Sequence, residues 1–179
     1  PPERPRERNC GVGKTTLAQL AYGDEKLKVH FDERIWICVS DPFDEVKVAK
    51  AILEGLSKSS PNLSQFHMLL ERIQECVSMK KFFLVLDDVW SEDYSKWEPL
   101  KNSLKNGAPG SRILVTSRSE RVVAMMGSSY MYRLGEISDS DSWTLFSRIA
   151  FSGRSNEDRE NLEDIGRRIV ESDKDCQLT

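Results

Sequence analysis

The sequence has 179 residues, enough for one domain with a small appended piece. Hydrophobic residues make up 39%, charged residues 31%, and the formal net charge is -3, which excludes a disordered chain and gives no electrostatic reason to expect nucleic acid. No apolar stretch approaches the roughly 18 residues that span a bilayer, and we expect no signal peptide because no apolar segment follows the basic start.

The four cysteines do not form a metal-binding pattern. They are Cys10, Cys38, Cys76 and Cys176, none belongs to a Cys-x-x-Cys pair, and the chain has only two histidines. Structural zinc sites use Cys and His ligands at closer spacing. We therefore expect reduced thiols in a cytoplasmic protein.

Taken in chain order, the predicted elements begin with a glycine-rich loop at residues 11–16, after eight residues rich in proline and arginine. Short apolar segments rich in β-branched and aromatic residues then predict strands. They cover residues 34–39, 82–86, 112–116 and, with a weaker pattern, 130–134. The near-continuous apolar character of the first three is typical of a parallel sheet covered on both faces.

Helical patterns accompany these strands, with apolar residues recurring every three or four positions. These residues are Leu17, Leu20 and Ala21; Val46, Ala49, Ile52, Leu53 and Leu56; Phe66, Leu69, Leu70, Ile73 and Val77; and Trp97, Leu100 and Leu104. Two capping boxes, Ser138 with Asp141 and Ser155 with Asp158, predict further helices. The alternation predicts an α/β fold, a doubly wound parallel sheet, followed by the start of a helical subdomain.

The glycine-rich loop has the composition of the second half of a Walker A motif, namely Gly11-Val12-Gly13-Lys14-Thr15-Thr16. Glycines allow backbone N–H groups to surround phosphate oxygens, and the helix N-terminus adds partial positive charge. Lys14 would reach the β- and γ-phosphates, the Thr15 hydroxyl would bind Mg²⁺, and Thr16 would contact the inner phosphates. An ordinary glycine-rich turn before a helix is the alternative for these six residues.

The Walker A motif is incomplete on its N-terminal side. Arg8 stands where the first glycine of Gly-x-x-x-x-Gly-Lys-Thr belongs. The residues before it do not read as a hydrophobic strand, because they are rich in proline and charge. We therefore expect the first strand of the sheet to be missing or degraded.

An apolar strand that ends in two carboxylates provides the second half of the predicted site. Asp87 and Asp88 follow Leu84-Val85-Leu86, as in a Walker B strand. Asp87 would bind Mg²⁺ directly or through water, and Asp88 would polarise the attacking water. A strand that ends in a solvated turn is the alternative for this motif alone.

An arginine follows the third predicted strand. Arg118 lies at its C-terminal end, where ligands bind in open α/β sheets. An arginine there could sense a γ-phosphate through a charge-assisted hydrogen bond. A surface arginine that begins a helix is the alternative.

Together these segments resemble the NB-ARC domain of plant disease-resistance proteins, a STAND-type P-loop NTPase. The matching stretches are residues 11–19, 31–40, 83–90, 110–118 and 132–151. Trp90 after Asp-Asp-Val resembles the coiled-coil class of these receptors, which carry leucine-rich repeats. The resemblance implies a domain that binds ADP or ATP with Mg²⁺ and acts as a molecular switch for plant defence.

The resemblance also implies roles for residues and partners. Phosphate would bind residues 11–16, Asp87 and Asp88 would act around Mg²⁺ and slow hydrolysis, and Arg118 would sense the γ-phosphate. The implied partners are the coiled coil, the second ARC subdomain and the leucine-rich repeats of the parent receptor, with self-association on activation. Neither a nucleic acid nor a membrane segment is implied.

The sequence departs from the family pattern at both ends. Residues 1–10 resemble a non-native remnant, residues 11–135 the nucleotide-binding domain, and residues 136–179 a truncated first ARC subdomain. This pattern suggests a fragment amplified between two family motifs. We expect it to bind nucleotide weakly or not at all when isolated, and micromolar affinity in a calorimetric titration with ADP or ATP·Mg²⁺ would contradict this.

Two other functions use a similar core. One is the ATPase core of a transcriptional regulator, which would need a DNA-binding domain elsewhere. The other is a small-molecule kinase or ATPase enzyme, which would need an acceptor pocket. We find no acceptor-pocket motif in this sequence, and the full-length sequence would decide about the DNA-binding domain, since repeats and a coiled coil favour the receptor.

Overall fold

The computed structural model describes residues 13–39, 41–58, 63–135, 138–150, 163–165 and 167–168. Residues Gly13–Tyr132 form one compact unit, and the described residues from Arg133 onward belong to a second. The predicted capping box at residues 155–158 lies outside the described residues, as do Cys10 and Cys176. Within the described part of the chain, no helix is long and apolar enough to cross a membrane.

The first unit contains a parallel sheet of three strands in the order β1-β2-β3. The strands are β1 (Glu33–Cys38), β2 (Phe82–Val89) and β3 (Arg112–Ser117). Among the described residues, β3 pairs with β2 alone and is an edge strand. The three stronger strand predictions are thereby confirmed.

Helices connect the strands, as parallel pairing requires. In chain order they are α1 (Lys14–Gly23), α2 (Glu25–His30), α3 (Glu45–Ser57), α4 (Phe66–Val77), α5 (Tyr94–Ser103), α6 (Glu120–Met125) and α7 (Asp139–Ala150). Four of these were predicted from apolar spacing and a fifth, α7, from its capping box. The short helix α2 was not predicted, and α6 was anticipated only in the alternative interpretation of Arg118, as a helix that follows this residue. In α1 the pattern located the helix, but its buried residue is Ala18, whereas Leu17 and Leu20 are exposed.

The core lies on both faces of the sheet because the side chains of β2 alternate between them. Phe82, Leu84 and Leu86 belong to a cluster with α3, α4 and α5. Phe83 and Val85 belong to a second cluster with Ala18 of α1 and Phe31. Every one of these β2 side chains is buried, which is why the strand reads as a continuous apolar run. The doubly wound α/β fold is confirmed.

Asp44 begins α3 as its N-cap. Its carboxylate accepts a hydrogen bond from the Lys47 backbone N–H at 3.0 Å, and this bond holds the pKa of Asp44 below its ordinary value of 3.8. A carboxyl whose pKa is lowered by folding stabilises the fold above the unfolded-state pKa, and that contribution is lost as the pH falls through the folded-state pKa.

We therefore expect Asp44→Ala to lower the thermal midpoint by a few degrees near neutral pH. The difference from the parent chain should narrow as the pH falls below about 4, because protonation removes the charged cap. Asp44→Asn is the control, since asparagine also caps helices well. Thermal unfolding across this pH range is the measurement, and a difference independent of pH would contradict the assignment.

The first predicted capping box is confirmed in α7. The Ser138 hydroxyl accepts a hydrogen bond from the Asp141 N–H at 3.2 Å and donates one to the Asp141 carboxylate at 2.6 Å. In the usual capping box the acidic side chain accepts a hydrogen bond from the backbone N–H of the cap residue. Here the Asp141 carboxylate accepts from the Ser138 hydroxyl instead.

The weaker strand prediction, over residues 130–134, is wrong. The backbone there is irregular, and Tyr130 and Tyr132 are 79% and 70% exposed. The Ser128 hydroxyl bonds both the N–H and the carbonyl of Tyr130, at 3.2 and 2.5 Å. Such local side-chain bonds replace the partners that a neighbouring strand would supply.

Candidate functional site

The site begins where the glycine-rich loop enters α1. Gly13 is the N-cap of this helix and has a φ of 81°, a left-handed conformation that favours glycine. Space does not require glycine here, because an added Cβ would meet nothing within 4 Å. Gly13 has no side chain with which to cap the helix, and the first turn of a helix contains backbone N–H groups that the helix itself does not bond.

The first turn of α1 brings a hydroxyl to the acidic end of β2. Thr15 Oγ1 lies 3.0 Å from Oδ1 and 3.1 Å from Oδ2 of Asp87 and donates to this carboxylate. Asp87 is only 4% exposed. The two residues are 72 positions apart in the sequence, so the fold brings together the two halves of the predicted metal site.

Asp87 and Asp88 occupy a β-bulge. The pairing of β2 with β3 is regular through Leu86 and resumes, shifted, at Val89. Asp88 has a φ of 57°, a left-handed conformation that aspartate tolerates better than most residues. The bend interrupts the ladder at the two carboxylates, and such irregularities commonly redirect side chains next to functional sites.

Arg118 lies against the second carboxylate. Its Nε is 3.6 Å from Asp88 Oδ1, and its guanidinium carbon is 4.7 Å from the centre of the Trp90 ring. The side chain is 28% exposed. An ion pair on one side and a cation–π contact on the other therefore hold this arginine at the carboxyl end of the sheet.

Two other predicted site residues lie in the first turn of α1. Lys14 is the first residue of α1 and is half-buried, and Thr16 is exposed in the same turn. Gly11 and Val12 lie outside the described residues. The contacts thus form two pairs, Thr15 with Asp87 and Arg118 with Asp88. The two aspartates are consecutive residues of β2.

The Thr15 and Asp87 oxygens fit a magnesium ion. Adjacent ligands of an octahedron with bonds of about 2.1 Å are separated by about 3 Å, and the Thr15 and Asp87 oxygens are 3.0 Å apart. Mg²⁺ is usually bound by one or two protein groups together with phosphate and water. The described residues contain no group of three or more His, Cys, Asp and Glu that could hold a metal. Cys38 and Cys76, the two cysteines in this part of the chain, are free thiols.

Sequence reasoning missed Thr116. Its buried hydroxyl donates to Asp87 Oδ1 at 2.6 Å and accepts from the Asp88 N–H at 2.9 Å. The position of Thr116 could have identified it, because it is a polar residue at the carboxyl end of an apolar strand, next to the acidic strand. Trp90 was noted as a marker of receptor class, and its contact with Arg118 was not foreseen.

Comparison with known proteins identifies the family. The model of the NB-ARC domain matches residues 9–156, which include all the predicted site residues. The chain belongs to the NB-ARC family. This NB-ARC chain is 43% identical over 160 residues to the putative disease resistance protein RGA4 of Solanum bulbocastanum and 44% identical over 162 residues to RGA2 of the same species.

A relative from another plant is similar over the same share of the chain. The putative disease resistance RPP13-like protein 1 of Arabidopsis thaliana is 35% identical over 162 residues. Each alignment covers 89% of the NB-ARC chain but only 15–16% of the relative. The family resemblance and the P-loop fold class inferred from the sequence are confirmed.

Proposed function

We propose that this NB-ARC chain is the nucleotide-dependent switch of a cytoplasmic plant immune receptor, which holds ADP at rest and exchanges it for ATP·Mg²⁺ on activation. The observation that carries the proposal is the contact between the Thr15 hydroxyl and the Asp87 carboxylate at 3.0 Å. It joins the glycine-rich loop to the acidic strand, with an oxygen–oxygen separation that suits two adjacent ligands of Mg²⁺. The relatives, described as disease resistance proteins, support the link to plant defence.

Each site residue receives a role in this proposal. Residues 11–16 bind the phosphates, with Lys14 as the cation for the β- and γ-phosphates. Thr15 and Asp87 hold Mg²⁺, which neutralises phosphate charge when bound. Asp88 polarises the water for slow hydrolysis, which returns the switch to the ADP state.

The Arg118 contacts support a switch rather than a simple binding site. Arg118 lies against Asp88 and Trp90, and a γ-phosphate would compete with Asp88 for the guanidinium. ADP lacks that group, so ATP alone gains the additional contact. A ligand shifts a two-state equilibrium only by its different affinity for the two states, and this contact provides the difference. The coiled coil, second ARC subdomain and repeats of the parent receptor, and its self-association, would respond to the shift.

The proposal is tested in a hybrid NB-ARC domain, in which residues 9–156 replace the matching segment of the RGA2 relative. That relative supplies the residues before the loop, where this chain has Arg8 in place of glycine. We expect the hybrid NB-ARC domain to bind ADP in calorimetry. Lys14→Ala should weaken binding by roughly tenfold or more, because a charge-assisted contact is lost.

Lys26→Ala is the matched control, since Lys26 is an exposed lysine in the neighbouring helix α2. Its affinity for ADP should equal that of the unmodified hybrid. Absence of ADP binding in the hybrid, or equal affinities for the two lysine variants, would overturn the proposed nucleotide site.

A further inference from the structure

The Thr116 hydroxyl links the two consecutive carboxylate residues of β2. Thr116 Oγ1 accepts from the Asp88 backbone N–H at 2.9 Å and donates to Asp87 Oδ1 at 2.6 Å. A backbone N–H only donates, so the single proton of the hydroxyl is available to the carboxylate. The directions of both hydrogen bonds are therefore fixed.

The same hydroxyl supports the bulge. The regular ladder ends at Leu86 with Val115 and resumes at Val89 with Ser117, so Asp87 and Asp88 together stand opposite Thr116. The Asp88 N–H loses its place in the ladder, and the threonine side chain supplies the acceptor. An N–H that is shielded from water and has no acceptor is costly, so this bond at the half-buried Asp88 stabilises its left-handed conformation.

The Asp87 carboxylate accepts hydrogen bonds from two hydroxyls. Oδ1 accepts from Thr116 and Thr15, whereas Oδ2 has the Thr15 contact at 3.1 Å. The short bond to Thr116 fixes the carboxylate against rotation, with its oxygens toward Thr15. The bend at the next residue directs the Asp88 carboxylate to Arg118 instead.

We propose that Thr116 is a positioning residue for the magnesium site, an inference that rests on the proposed function. Its hydroxyl holds Asp87 toward Thr15 and maintains the bend that separates Asp87 from Asp88. Hydrogen-bond partners of metal ligands commonly set metal affinity in this way.

Three variants separate this role from general packing. Thr116→Val keeps the shape but removes the hydroxyl, and Thr116→Ser restores a hydroxyl. Ser117→Ala is the matched control: Ser117 Oγ donates to the Val89 carbonyl at 2.7 Å and accepts from the Ser119 N–H at 3.0 Å. The Ser117 hydroxyl therefore also links β3 to β2, but its two partners are backbone groups and neither is a carboxylate.

The experiment uses two NMR measurements, the first on the 179-residue chain and the second on the hybrid NB-ARC domain with ADP bound. The first is hydrogen exchange at the Asp88 amide. Thr116→Val should accelerate it about tenfold or more, because the acceptor is gone, while Thr116→Ser and Ser117→Ala leave it near the parent rate.

The second measurement is the broadening of the Thr15 and Asp87 resonances by Mn²⁺, a paramagnetic probe for the magnesium site. Thr116→Val should require roughly ten- to hundredfold more Mn²⁺ for the same broadening, the usual effect of losing a partner of a metal ligand. Thr116→Ser should recover the parent response.

The two measurements distinguish the inference from the proposed function. Unchanged Asp88 exchange in Thr116→Val, or an equal loss of Mn²⁺ response in Ser117→Ala, would overturn the positioning role. If Mn²⁺ leaves Thr15 and Asp87 unaffected in the unmodified hybrid with ADP bound, the proposed metal site fails, and the metal part of this inference fails with it.

Discussion

Replacing Leu84 by alanine is expected to lower the free energy of unfolding by about 3 kcal/mol, within the usual range for a buried leucine. Leu84 lies in the middle of the central strand, paired with Ile35 on one side and Ile113 on the other, and is 0% exposed. The substitution removes buried apolar atoms and leaves a cavity that the surrounding strands and helices close only partly. Urea denaturation measures the effect.

Ile113→Ala provides the matched control. Ile113 is the register partner of Leu84, on the edge strand, and is 41% exposed. Both substitutions shorten an aliphatic side chain in the same ladder, so the difference between them reports burial. We expect Ile113→Ala to cost about 1 kcal/mol or less. Equal losses would contradict the assignment of β2 as the centre of the core.

The sequence predicts β2 most clearly because this strand is covered on both faces. An apolar run such as residues 82–86 has few alternatives to a buried strand, and β1 to β3 appear where such runs occur. The segment at 130–134 has a similar composition but no strand neighbour among the described residues. Composition does not reveal whether a neighbour exists, and here the Ser128 hydroxyl satisfies the Tyr130 backbone instead.

For the site, the sequence predicts which elements meet but not the detailed contacts between them. Parallel strands end at one edge of a sheet, so the approach of the phosphate loop to Asp87 follows from motif order. The bulge does not follow, because it depends on how β2 and β3 are offset beyond Leu86. The bonds of Thr116 and the Asp88–Arg118 ion pair are consequences of that offset, and no local pattern encodes them.

The second large effect concerns the two carboxylates, Asp87 and Asp88, whose contacts differ and for which we propose different roles. Asp87→Asn keeps the size of the side chain but replaces a charged oxygen ligand with an amide nitrogen. We expect it to abolish most of the Mg²⁺ dependence of nucleotide binding, roughly a ten- to hundredfold loss of apparent Mg²⁺ affinity. Titration of the hybrid NB-ARC domain with ADP, in Mg²⁺ and in EDTA, is the measurement. Affinity in EDTA should change little, because the phosphate loop is intact.

Asp88→Asn is the companion variant, since asparagine also tolerates the left-handed conformation of this residue. Its carboxylate contacts Arg118 rather than Thr15, so Mg²⁺-dependent ADP binding should stay within about threefold of the parent. ATP hydrolysis, followed by phosphate release, should fall by roughly a hundredfold or more, the usual loss when a general base is removed. If both substitutions changed the Mg²⁺ dependence equally, the proposal that Asp87 binds the metal while Asp88 polarises the water would be wrong. The distinct contacts of Asp87 and Asp88 predict that the two activities separate.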